Sequence, residues 1–415
     1  MNPQMLRNRM RSLVFGMLCT AVSLNASSLE PASTIYRVQV GEQDLLMLQD
    51  QLQAQGWGPL SFEQSAGGVR LLLGEAEYYV DALLCARHFE NSYGIPSQVV
   101  AIDNTEGELD LAGIGGPMPT RFQCRENHMS EVPDSALPEA DPLVEQLESL
   151  QQSNDTAAYR LALMNAIHTL PDADVRKGYA ITRKGILELL ERNFDDALLW
   201  LGRVANGEVA ARRLDRNKCM RRVGWILHQQ GKRLEAYQAY RELERFTENE
   251  LVRAMVRVEC AGLLMELARH EGIGSLAECR RECQKMLEVT DEQYRQERAT
   301  AELMFLETFY YEGRNEIAAS LADSFVMKYP DRPRELSMAL LFQACAHKGL
   351  GNYEQSKAAL LKVLTTEWPE DPGESWGSSG HRWDMKRKAA DFLKKYATQF
   401  EDADGVAVAE GYLNR

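Results

Sequence analysis

Between residues 29 and 140 the chain has no lysine, and five arginines stand against 17 acidic residues, a charge of −12. A surface of that sign repels polyanions, so nucleic acid and an anionic membrane surface are excluded as partners of the front of the chain. Histidine is scarce as well, seven in 415 residues. No His-Glu-x-x-His, Gly-x-Ser-x-Gly or paired-cysteine metal motif occurs. The glycine cluster GIGG (113–116) lacks the Lys-Ser/Thr that a phosphate-binding loop needs. No enzyme activity, cofactor or metal is expected on these grounds.

Long apolar runs are missing too. The N-terminal run LVFGMLCTAVSL (13–24) falls short of the roughly 20 residues of a membrane span. It follows Arg7, Arg9 and Arg11 and precedes NASS, the arrangement of an export signal. A cleaved signal over residues 1–28, cut near Ala26, leaves no transmembrane span and places the protein in the periplasm or cell envelope. Cys19 is an alternative point of lipid attachment, although Leu18 before it is large for that motif. The other seven cysteines are an odd number without the spacing of a disulfide framework. Cys85–Cys124 is the candidate bridge, and several others read as small core residues on helices. Cys279 and Cys283 share a helix face, but a zinc site would require two further ligands.

Residues 34–103 alternate between strand and helix patterns. IYRVQV (35–40), PLSFEQ (59–64), VRLLLG (69–74) and SQVVAI (97–102) read as strands, with helices over 44–56 and 78–94. The order βαββαβ makes the expected fold class α+β, a small ferredoxin-like domain ahead of an all-α array. YRVQVG and RLLLG resemble the first strand and the Arg-x-x-x-Gly strand of the SPOR family, an exported module that binds peptidoglycan glycan strands lacking stem peptides. That resemblance implies glycan contacts at Gln39 and Arg70. Gln43 and Ala76 stand where the family usually has aromatics. Residues 104–141 are rich in glycine, proline and acids and read as a linker.

From 142 to 400 apolar positions recur at helical spacing, and the pattern repeats. A glycine or polar turn is followed by a helix with a small residue near its start, at Ala197, Ala236, Ala277, Ala318 and Ser356. The spacings are 39, 41, 41 and 38 residues. Such hairpins cover their apolar faces only by stacking on neighbours. GNYEQSKAALLKVL and KYPDRP resemble the tetratricopeptide repeat family, with a longer period and an insertion at RHEGIGS (269–275). A helix over 382–400 is expected to cap the array, with Trp368, Trp376 and Trp383 near that end and an acidic tail at 401–415.

The resemblance implies a protein or peptide partner in a groove lined by the first helices. Phasing on the small residues puts Lys218, Arg221, Trp225 and Gln229 on that face in the second unit. In the fourth unit it puts Glu307, Tyr310 and Tyr311 there. The run RRLDRNKCMRR (212–222) is the dense basic patch, and it either receives an acidic peptide or is a solvated helix face. The expected function is an envelope adaptor, binding peptidoglycan in front and a protein through the repeats. The alternative is a protein–protein scaffold without glycan binding.

Overall fold

The computed structural model describes residues 34–40, 60–65, 68–76, 79–93, 97–103, 141–153, 155–367 and 378–414. The signal segment, the helix expected over 44–56, the linker as far as residue 140, Trp368 and Trp376 lie outside the described residues.

Two residue types place the helices. Carboxylate and amide caps start them: Asp141 accepts from the N–H of Leu143, Asp174 from Arg176, Asn249 from Val252 and Asp402 from Gly405. Left-handed residues end the first helix in six of the seven hairpins, at Arg192, Gly231, Gly272, Gly313, Gly351 and Glu401, with φ between 56° and 77°. At all six the next N–H reaches back to close the turn, as Lys232 does to Leu227 O at 2.9 Å and Asn352 to His347 O at 2.9 Å.

The result is a stack of antiparallel pairs: α2 (Pro142–Gln152) with α3 (Thr156–Thr169), α4 (Val175–Leu190) with α5 (Phe194–Ala205), and α6 (Arg213–Gln229) with α7 (Arg233–Phe246). These are followed by α8 (Glu250–Glu266) with α9 (Leu276–Leu287), α10 (Arg295–Tyr311) with α11 (Asn315–Lys328), and α12 (Pro333–Gly349) with α13 (Tyr353–Thr365). The last pair is α14 (Ser378–Gln399) with α15 (Ala403–Leu413). First helices α4 and α6, α8 and α10, α10 and α12, and α12 and α14 touch, as in a helical-hairpin solenoid.

Small residues set the close approach inside four of the pairs. Ala197, Ala236, Ala318 and Ser356 are fully buried at the fourth position of their helices. A Cβ on Gly224 would come within 2.9 Å of the buried Tyr240 ring, which holds α6 tight against α7. In the third unit the slot belongs to the fully buried Cys279, not to the half-buried Ala277. A π-helical turn, Leu267–Glu271, extends α8 there and shifts the phase by two residues. The expected acidic tail is corrected as well: α15 is a helix packed on α14, with Ala409 fully buried. Asp402 accepts from Tyr353 Oη at 2.6 Å and is paired with Lys357, which fixes the turn into α15.

Ahead of the stack lie β1 (Thr34–Val40), β2 (Leu60–Ser65), β3 (Gly68–Ala76) and β4 (Ser97–Asp103), antiparallel in the order β2-β3-β1-β4, with α1 (Tyr79–Tyr93) between β3 and β4. The α+β class expected from sequence is corrected. The described chain is an all-α solenoid over nearly all its length, and the strands are a small appendage of six to nine residues each. Nor is the front part a self-contained ferredoxin-like unit, because its helix joins the solenoid core. Val80 is fully exposed to no solvent and, with Leu84, packs into the cluster that contains Tyr237, Leu243 and Cys279. The Tyr79 N–H donates to the Glu278 carboxylate, which also accepts from the Ser275 N–H at 2.8 Å. One side chain thereby caps α9 and α1 together. Asp81 lies 3.5 Å from Arg241 of α7.

Candidate protein-binding face

On α6 the heptad-like spacing of Lys218, Arg221, Trp225 and Gln229 turns all four toward solvent. The opposite side of the helix carries Cys219, Val223 and Ile226, none more than 2% exposed. Trp225 stays 41% exposed and meets Phe194 edge-on, with ring centroids 6.1 Å apart. A large aromatic held on one edge and open elsewhere is the residue type that dominates protein-binding hot spots.

The basic run on this helix divides in two. Arg212 pairs with Asp215 at 2.7 Å, Arg213 with Glu248, and Arg216 donates to Ala205 O at 3.3 Å. Those arginines hold the start of α6 against its neighbours. Lys218, Arg221 and Arg222 have neither an ion pair nor a hydrogen bond among the described residues. Burial pushes the half-buried Arg222 guanidinium below its ordinary pKa, and the positive charges of Arg221 and Arg183 add to the effect. Arg183 comes from α4, stacked 4.9 Å above the Tyr179 ring and 3.8 Å from Glu148.

The fourth-unit residues are built into the array. Tyr311 Oη donates to Glu307 Oε1 at 2.6 Å, and the Arg269 guanidinium lies 3.3 Å over the Tyr311 ring. Burial raises the Glu307 carboxyl above its usual range, against the lowering effect of that hydrogen bond and of Arg269. Tyr310 packs on Phe342 of α12, centroids 5.5 Å apart. These three are half-buried and tie α10 to α8 and α12. Arg269 was not anticipated, because it lies in the π-helical insertion, where the repeat phase gives no guide.

Between the two regions a charged knot joins α6, α7 and α8. His228 Nε2 and Glu266 Oε1 are 3.0 Å apart, and Arg233 donates to Glu266 at 2.7 Å and to Glu271 at 3.1 Å. Burial disfavours the Glu266 carboxylate, but the bonds from His228 and Arg233 outweigh it and hold the carboxyl down to about 2. The same bond raises His228. The knot ties down the turn end of the face.

The glycan positions lie on neighbouring strands. Gln39 is registered opposite Leu72 and Arg70 opposite Glu63. Cys219, Cys260, Cys279 and Cys283 are buried and free, and the Sγ atoms of Cys279 and Cys283 are 4.0 Å apart. Among the described residues no cluster of three or more His, Cys, Asp or Glu is arranged to hold a metal. Cys124 lies outside the described residues, so the expected Cys85–Cys124 bridge does too. No described helix is long and apolar enough to cross a membrane.

No protein-family model matches the chain. No curated protein matches it either. Among solved structures it is similar to a tetratricopeptide repeat protein from Parabacteroides merdae, 16% identical, TM-score 0.43, over 66% of this chain and 96% of that one. It is similar to the Rap protein complexed with competence and sporulation factor, 10% identical, TM-score 0.39, over 65% of this chain and 74% of that one. A third is BtubC from P. vanneervenii, 15% identical, TM-score 0.39, over 57% of this chain and 98% of that one.

Proposed function

We propose that the chain is a protein-interaction scaffold whose partner binds the first-helix face around α6. The observation that carries this reading is the solvent-facing stripe of Lys218, Arg221, Trp225 and Gln229 on a helix whose other side is fully packed. A rigid stack that presents an open aromatic and unpaired cations suits recognition of an extended peptide or a helix. The test is site-specific photo-crosslinking in the native cell. A photoreactive residue at Gln229 should give a discrete adduct that disappears with Trp225→Ala. The same group at Leu199, 60% exposed on the second helix α5, should give none. Equal adducts from both faces would sink the reading.

The envelope adaptor belongs to this proposal as its finer form. Export rests on the basic-then-apolar N-terminus, and the mature N-terminus of the protein from its native host tests it. Glycan binding rests on Gln39 and Arg70 lying on the adjacent strands β1 and β3. Co-sedimentation of the full chain with sacculi should rise once stem peptides are stripped, and fall with Arg70→Ala. A chain that never pellets leaves the scaffold without its glycan half.

A further inference from the structure

We infer that the stripe on α6 reads an acidic peptide segment, with carboxylates on Lys218, Arg221 and Arg222 and a bulky apolar residue beside Trp225. The inference deepens the scaffold reading and rests on it.

Three observations support the ligand's chemistry. First, the structure separates the cations of one basic run into those already paired and those with no partner. Arg212, Arg213 and Arg216 hold the fold, whereas the three that follow on the same helix have no anion. Second, the protein holds one of these charges at a cost. Arg222 is half-buried beside two other guanidinium groups, an arrangement disfavoured unless an anion is supplied. In a chain of net charge −14, three unpaired cations on one face are not explained by solubility. Third, the cationic stretch is short. Glu259 on α8 is unpaired among the described residues and lies near enough to raise the pKa of Tyr240 and His228.

That last point decides between peptide and nucleic acid. A polyanion carries charge along its whole length and would run from the cations onto the uncompensated Glu259. A peptide can change character within a few residues. From Lys218 to Trp225 the helix rises about 10 Å, which an extended chain covers in about three residues. The ligand is therefore a short acidic stretch followed closely by an apolar side chain. The cations are spread along the stripe and do not converge on one point, so side-chain carboxylates satisfy them and a free C-terminus is not required.

The test uses the full-length protein and three fluorescent probes. These are a short amidated peptide of Asp and Glu around a single Leu, its Asn/Gln counterpart, and an oligouridylate of matching length. The acidic peptide should bind, the uncharged one should not, and moderate salt should weaken the binding. Arg221→Glu and Lys218→Glu should each weaken it about tenfold or more. Lys362→Glu, an equal charge change exposed on α13, should leave it alone. Where a reversal perturbs the circular dichroism, Arg221→Gln replaces it. Equal binding of both peptides overturns the inference, as does a loss no larger in the α6 variants than in Lys362→Glu. Tighter binding of the oligouridylate assigns the stripe to nucleic acid and also overturns it. Acidic-peptide failure with an intact Gln229 crosslink removes the ligand chemistry alone, whereas loss of both removes the scaffold reading too.

Discussion

Arg192 and Glu401 stand in the left-handed position that glycine holds at four other hairpin turns. Both are exposed there, so no packing offsets the contact between Cβ and the following carbonyl, about 1 kcal/mol. Arg192→Gly and Glu401→Gly should each stabilise the protein by about 0.5–1 kcal/mol in urea denaturation, and Gly231→Ala should destabilise it by a similar amount. Glu242 is a different kind of residue problem. It is 2% exposed on α7, and one of its carboxylate oxygens has no partner. Burial pushes its carboxyl up to about 8. The native state therefore keeps a proton that the unfolded chain releases, and stability falls as pH rises from about 4.5 to 8. Glu242→Gln should flatten that part of the profile and stabilise the protein at pH 8 by on the order of 2–4 kcal/mol.

At the level of helices and turns, Gly224 shows how tightly a hairpin is closed. Gly224→Ala should cost about 1–3 kcal/mol, because its methyl group would press on a Tyr240 ring that has no room to move. Thermal denaturation beside Gly202→Ala, where nothing lies within 4 Å, checks this. The hairpins themselves were legible in the sequence. A small residue four places into a helix after a glycine or polar turn is a local signal, and Ala197, Ala236, Ala318 and Ser356 are fully buried as close packing requires. The third unit was misphased because a π-helical turn adds residues without changing the apolar pattern. That same turn carries Arg269 onto Tyr311, and so the fourth-unit residues read as open groove are packed. On α6 the exposed stripe was legible from periodicity. Its division into paired and unpaired cations was not, since Arg213 finds its carboxylate at Glu248, 35 residues away.

Across the whole molecule, each hairpin is supported by its neighbours alone, so damage should remain near where it is made. A chain ended after α13 uncovers Leu360, Val363 and Leu364, which pack with α14 residues Ala389, Ala390 and Leu393. Hydrogen exchange should quicken in α12 and α13 and stay unchanged in α4 to α7. The class was misjudged at this scale for a related reason. Strand alternation in residues 34–103 reports local geometry, whereas the attachment of α1 to α7 and α9 depends on groups far along the chain. The bond from Tyr79 to Glu278 joins residues 199 positions apart. Such a contact is formed late in refolding, because the hairpins close over short loops while α1 must wait for a surface made by two of them. The protein thus has a built-in order of assembly. During synthesis the front segment emerges first and remains without its seat until α9 has been made, open for that interval to whatever else would bind it.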